Sequence, residues 1–151
     1  MPLLLALDVV LSPILAEQAT FAPNQTPRLS TTVQTGSDAF FGTMCWQVTH
    51  LGRVVDGPHE ASLDLEPQTS AGMQFLPEQL PVGDRGFLCE VVLRDHEGVE
   101  LDRANGAFEV AADWTRFPRY GYLTQFNKPA DADALLRPLR DGLINVVQIY
   151  D

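Results

Sequence analysis

Between residues 28 and 111 apolar and polar positions alternate in short runs broken by turn residues, the period-two pattern of half-buried strands. Leu29, Thr31 and Val33 alternate with Ser30 and Thr32, and Leu63 and Leu65 with Asp64 and Glu66. The pattern predicts strands near 4–11, 28–35, 42–50, 53–56, 61–66, 86–94 and 98–111, with a short extended piece near 72–76. Leu51-Gly52 and Asp95-His96-Glu97-Gly98 read as hairpin turns, glycine supplying the positive φ that such turns need. Pro67, Pro77, Pro81 and Gly83 mark residues 66–85 as a long loop crossing between sheets.

Short strands at this spacing predict an immunoglobulin-like β-sandwich over residues 1–112. Trp46 falls on the third strand, where such folds keep a core tryptophan, and it shares the apolar side of its strand with Met44 and Val48. Phe87 stands where a corner tyrosine is often found, but without the hydroxyl that would make the corner hydrogen bond. Strand parity separates the two cysteines. Cys45 points away from Met44, Trp46 and Val48, whereas Cys89 lies with Phe87, Val91 and Leu93 toward the core. Opposite faces rule out a disulfide between them.

The pattern changes after residue 112. Residues 117–126 read as a short aromatic strand, residues 129–140 as a helix, and residues 143–150 as a second, nearly all-apolar strand. Strand, helix, strand is the βαβ unit of a parallel sheet, whose strands are apolar on both faces because both are covered. In the helix, Leu135, Leu136 and Leu139 form the apolar stripe and Asp131 and Asp133 favour the N-terminal dipole. Pro138 is expected to end or kink the helix, and Gly142 to stop it at C′. One βαβ unit cannot bury itself, so residues 113–151 read as the start of a larger α/β domain. Trp114 and Phe117 are the expected contacts at the junction.

Charge narrows the partners. The net charge is −10, and residues 1–112 account for it, with 15 acidic and 5 basic side chains. An acidic surface repels phosphate backbones and anionic lipid, which excludes nucleic acid and the membrane surface as partners. Residues 1–15 are apolar, but they carry no Lys or Arg before the apolar run and are interrupted by Asp8, a poor signal peptide. They read better as a first strand. His50, His59 and His96 each sit beside turn residues and are expected at the surface. No His or Cys spacing points to zinc, and there is no phosphate loop or nucleophile elbow, so no metal and no cofactor are expected.

The tail carries a resemblance. The run PRYGYLTQF at residues 118–126, then a short helix, then INVVQIYD at residues 144–151, all behind a β-rich domain, resembles glycoside hydrolase family 66. This family contains dextranases and cycloisomaltooligosaccharide glucanotransferases. The resemblance implies an immunoglobulin-like domain followed by a catalytic (β/α)₈ barrel, of which residues 113–151 would be the truncated start. It implies a retaining mechanism with an Asp nucleophile and a Glu acid/base, both on later barrel strands. No carboxylate of this chain takes either role, so the chain alone is expected to be non-catalytic. Barrel active sites lie at the C-terminal ends of the strands. By that rule Gln148, Tyr150 and Asp151 are the candidate substrate-binding residues, with Asp151 a hydroxyl-binding carboxylate, and Thr124, Gln125 and Phe126 flank them. The implied partner is an α-glucan, bound through the parent enzyme. The parent family is often secreted. Self-association through the uncovered tail is a second expectation. A free-standing immunoglobulin-like carbohydrate-binding or adhesion module is the alternative.

Overall fold

The structure is a computed structural model of the chain and describes residues 8–123 and 132–149. Its strands are β1 Val9–Leu11, β2 Leu15–Ala16, β3 Thr20–Phe21, β4 Leu29–Thr35, β5 Phe40–His50, β6 Arg53–Leu65, β7 Ser70–Phe75, β8 Arg85–Asp95 and β9 Glu100–Val110. A single 3-10 turn, Trp114–Arg116, leads to β10 Tyr120–Leu123, helix α1 Ala132–Asp141 and β11 Val146–Ile149.

The first nine strands form two facing sheets. In one, β4 is central; β7 pairs with it antiparallel, and β1 and β2 pair with its two ends. In the other the order is β3-β9-β8-β5-β6, antiparallel except for β3, which runs parallel to β9. This is the expected immunoglobulin-like sandwich. Parity puts Leu29, Thr31, Val33 and Thr35 of β4 inside and Ser30 and Gln34 outside. The two buried threonines keep hydrogen-bond partners, Thr31 Oγ1 donating to the Ser12 carbonyl at 2.6 Å and Thr35 Oγ1 to that of Glu66 at 2.7 Å. Between the sheets, Phe21, Phe75, Phe108, Leu29, Leu93, Val33, Val48 and Val91 are fully buried. Each contributes about 1.5–3 kcal/mol relative to exposure. Phe108 stacks on Phe87 at 5.3 Å and meets Phe21 edge-on at 6.0 Å.

Several boundaries differ from expectation, each for a local reason. The strands expected at 53–56 and 61–66 are one strand, β6, running through a cis Gly57–Pro58 bond. β6 is an edge strand, so the missing amide of Pro58 costs no ladder bond. Register shifts against β5 fall near this point, between Trp46 and Thr49. The crossing segment 66–85 contains a full strand, β7, where only a short piece near 72–76 is expected. β2 and β3 are two residues each, too short for a period to register, and Pro13 separates β2 from β1. Residues 4–7 of the first expected strand lie outside the described residues. Leu51 and Gly52 both have positive φ, 49° and 75°, the geometry of a tight two-residue hairpin.

Trp46 packs against the core but is only half-buried, because its ring lies near the open edge beside β6. The cysteines are on opposite faces as expected. Cys89 is fully buried, and Cys45 is hydrogen-bonded to Glu60 on the outer face at 3.6 Å.

Beyond the sandwich, β10 and β11 pair in parallel, Tyr120 opposite Val146 through Leu123 opposite Ile149. α1 continues three residues past Pro138 to Asp141, because a proline in the last turn removes one bond near an end that has few left. The helix stops at Leu143 rather than at Gly142. Leu143 takes the left-handed conformation, with φ 54°, its amide reaching the Arg140 carbonyl at 2.9 Å. The Ile144 amide reaches the Leu139 carbonyl at 2.8 Å, which completes a Schellman motif with Leu143 at C′. No helix among the described residues is long and apolar enough to cross a membrane.

Burial pushes the Cys89 thiol up to about 12, so it is un-ionised and enclosed. A thiol reagent at neutral pH should label Cys45 alone in the native chain and both cysteines in denaturant without reductant. Mass spectrometry of the labelled peptides checks this, and a native Cys89 adduct would contradict the burial.

Candidate functional site

The parallel pair has two unlike faces. A β-carbon on Gly121 would lie 2.8 Å from Leu139 Cδ2 and 2.9 Å from Ile144 Cγ2, so the glycine leaves these two side chains room to close over this face. The register places Val147 beside Gly121 on the helix side. The opposite face carries Tyr120 and Tyr122 from β10 and Val146 and Gln148 from β11, with both tyrosines and Gln148 exposed. Gln148 is therefore an accessible amide opposite Tyr122, one of the three expected substrate-binding residues. Tyr150 and Asp151 lie outside the described residues, as do Thr124, Gln125 and Phe126.

The segment leading into β10 is tied to the sandwich, and the start of β11 is tied to that segment. The Arg119 guanidinium pairs with Glu109 at the end of β9, and Arg116 pairs with Asp84 at 3.3 Å. Asn145 accepts from the Arg119 amide at 2.8 Å and donates to the Phe117 carbonyl at 3.2 Å. Leu143 reaches back to the sandwich core. Trp114, expected at the junction, is instead exposed. Asp113 caps the 3-10 turn by accepting from the Thr115 amide at 2.8 Å, and the turn presents the indole to solvent. An open cleft of about 320 Å³ lies between Glu17–Ala19 and the tail, lined there by Leu136, Leu139, Leu143 and Val147.

A second cluster lies at the open edge of the sandwich. Trp46 and His59 are cross-strand partners, stacked at 4.1 Å, and the indole also meets Phe75 at 5.4 Å. His59 Nε2 is 2.7 Å from Asp56, which is only 5% exposed. The Glu78 amide donates to the other Asp56 oxygen at 2.9 Å, binding β6 to the segment after β7. Burial pushes the Asp56 carboxyl up, but the hydrogen bonds from His59 and from the amides of Glu78 and Gln79 outweigh it and hold the group below the ordinary value. With His59 over one face of the indole, a sugar stacking there would have to displace it, so the cluster reads as edge closure. Sequence parity placed Trp46 on the inner face, but not the His59 and Asp56 partnership, which depends on the β5–β6 register.

Asp8 and Asp38 form a carboxyl pair at the surface, where the hydrogen bond to Asp8 raises the Asp38 carboxyl. The pair is exposed, and solvent screens it too well to hold one partner protonated for acid catalysis at neutral pH. Among the described residues no group of three or more His, Cys, Asp or Glu side chains could hold a metal ion.

A depressed carboxyl stabilises the fold above its unfolded value, and that contribution is lost as pH falls through the folded value. Asp56→Asn should therefore destabilise the chain by about 1–3 kcal/mol at pH 7. The gap should shrink below about pH 4, where aspartate in the unfolded chain takes up its proton. Urea unfolding of both proteins at pH 7 and pH 3 checks this, and an undiminished gap at pH 3 would assign the loss to packing alone.

Comparison with known proteins gives the arrangement a context. The structure superposes with TM-score 0.73 on a cycloisomaltooligosaccharide glucanotransferase from a Paenibacillus species, at 22% identity, over 95% of this chain and 21% of that one. It superposes with TM-score 0.54 on a CARDB domain from Pyrococcus furiosus, at 14% identity, over 70% of this chain and 94% of that one. It also superposes with TM-score 0.54 on a calcium-binding mutant of β-glucuronidase 2 from Bacteroides uniformis, at 13% identity, over 94% of this chain and 21% of that one. At these identities the likenesses establish the fold. The chain thus spans about a fifth of the length of the glucanotransferase. No curated protein sequence matches it. The profile of glycosyl hydrolase family 66 matches residues 16–151, across the sandwich and the parallel pair alike, and the chain belongs to that family.

Proposed function

We propose that this chain is the non-catalytic N-terminal part of a dextranase-like glycoside hydrolase, with the sandwich of residues 1–112 supporting a (β/α)₈ barrel that begins in residues 113–151. The observation that carries this reading is that one family match runs through both the sandwich and the parallel β10-α1-β11 unit. The position of the junction supports it. The sandwich grips Arg119 through Glu109, just before β10, and Asn145 in turn ties the start of β11 to Arg119. In (β/α)₈ barrels the N-terminal end of the strands governs stability, and the opposite end carries substrate contacts. The sandwich would then act as a base, and Gln148, Tyr150 and Asp151 would face an α-glucan from the far end of β11. A retaining mechanism needs two carboxyl groups about 5 Å apart across the scissile bond, and in this reading both belong to later strands.

The purified chain should release no reducing ends from dextran above a heat-killed control. Release well above that control would overturn the non-catalytic assignment. Retardation of the chain in a dextran-containing native gel would favour a carbohydrate-binding module instead. The reading frame beyond codon 151 decides parentage, because paired carboxylates on further βα repeats are required there.

The uncovered face gives the same reading a physical consequence. Tyr120 and Tyr122 are exposed on the face turned away from α1, and the two-stranded sheet has no further strand beside it among the described residues. Uncovered apolar edges invite pairing. The chain should therefore self-associate with rising concentration, and Tyr122→Lys should weaken this. Sedimentation velocity over a hundredfold concentration range checks it, and a single monomeric species throughout would argue against an uncovered pairing surface.

A further inference from the structure

We infer that Thr20, Glu109 and Arg119 form one largely buried polar anchor, centred on Glu109, that holds the βαβ unit to the sandwich, and that Asn145 passes this constraint from β10 to β11. The inference concerns this chain's own architecture and does not rest on the glycoside hydrolase reading.

Two buried side-chain polar atoms lack a partner among the described residues, Thr20 Oγ1 and Glu109 Oε2. They belong to residues that face each other in register, Thr20 of β3 and Glu109 of β9. One is a hydroxyl able to donate and the other a carboxylate oxygen that only accepts. Each supplies what the other lacks, and one water between them would join the two. The other carboxylate oxygen of Glu109 already takes the Arg119 guanidinium. Glu109 is only 8% exposed, and a carboxylate in such a place is strongly disfavoured unless paired. Arg119 is thereby drawn to one position, immediately before β10.

From Arg119 the constraint continues through the backbone. Its amide donates to Asn145 Oδ1 at 2.8 Å, and its carbonyl accepts from the Asn145 and Val146 amides at 3.3 and 3.1 Å. Asn145 also holds the Phe117 carbonyl through Nδ2. One asparagine thus fixes the chain on either side of Arg119 and sets the parallel register at the first residue of β11. The other ion pair across the junction, Arg116 with Asp84, joins a largely exposed guanidinium to a partly exposed carboxylate, and pairs of that kind contribute little. The polar part of the attachment therefore falls on the buried anchor.

Hydrogen exchange by mass spectrometry on the intact chain, at a concentration where it is monomeric, tests this. Glu109→Gln and Arg119→Met should each speed exchange of residues 120–123 and 146–149 by about tenfold or more, as loss of one partner of a buried pair requires. Residues 87–93 of β8 should keep their protection. The double variant should exchange no faster than the faster single one, because both changes remove the same interaction. Thr20→Val should give a smaller acceleration, about two- to tenfold, in the same two segments. Asn145→Ala, which leaves the sandwich untouched, should speed 146–149 more than 120–123. If Glu109→Gln or Arg119→Met also exposes residues 87–93, Asn145→Ala decides, and unchanged protection of 146–149 in it overturns the inference. Unprotected 120–123 in the parent chain, or unchanged exchange in both charge variants, overturns it directly.

Discussion

Four phenylalanines set the terms for the rest of this molecule. Phe21, Phe75, Phe87 and Phe108 come from four different strands, and their rings must leave water together. Phe108 on β9 meets both Phe87 of the neighbouring β8 and Phe21 of β3, while Phe75 of the facing sheet meets Trp46. Once these rings are buried, the parity of every strand that carries them follows, since a slip of one residue would turn each ring to solvent. The partners of those strands are then placed in turn, and short segments such as β3 are held because Phe21 lies on them, not because two residues have a propensity of their own.

Closing such a sandwich leaves edges. β6 is a long edge strand, and Pro58, which has no amide to donate, together with its charged residues leaves little continuous donor edge for a second chain to join. Asp56 is the one carboxylate turned inward on this strand, with both its oxygens bonded, and His59 covers the adjoining Trp46. The parallel pair lacks equivalent devices. β10 and β11 present Tyr120 and Tyr122 to solvent on one face and Ile149 on the other.

The junction joins these two regimes by a short route. Val110 ends β9 and Tyr120 begins β10, and within that span Asp84 binds the Ala112 amide at 3.0 Å while Glu109 binds Arg119. No flexible linker intervenes, so the orientation of the first parallel strand follows that of the last sandwich strand. In this family 66 chain the sandwich meets the parallel pair just before β10, through Glu109 and Arg119.

Much of the fold was legible from local pattern. The alternation in β4, β8 and β9 gave their inner faces, Leu51-Gly52 its hairpin, Cys45 and Cys89 their opposite sides, and the run Tyr120–Leu123 with Val146–Ile149 its parallel pairing, since period and turn chemistry act over a few residues. The family could be read from two short runs in the tail. Of the candidate site, Gln148 was placed on an accessible strand, and nothing described here bears on Tyr150 and Asp151. What sequence could not supply is whatever depends on a partner distant in the chain. Edge position let Pro58 lie inside a strand, the Schellman turn put Leu143 rather than Gly142 in the left-handed conformation, and the 3-10 turn exposed Trp114. Nothing in the local pattern singles out Arg119, Glu109 and Thr20. They become one anchor only because β3 runs beside β9 and the chain returns to it, and no local period encodes that juxtaposition.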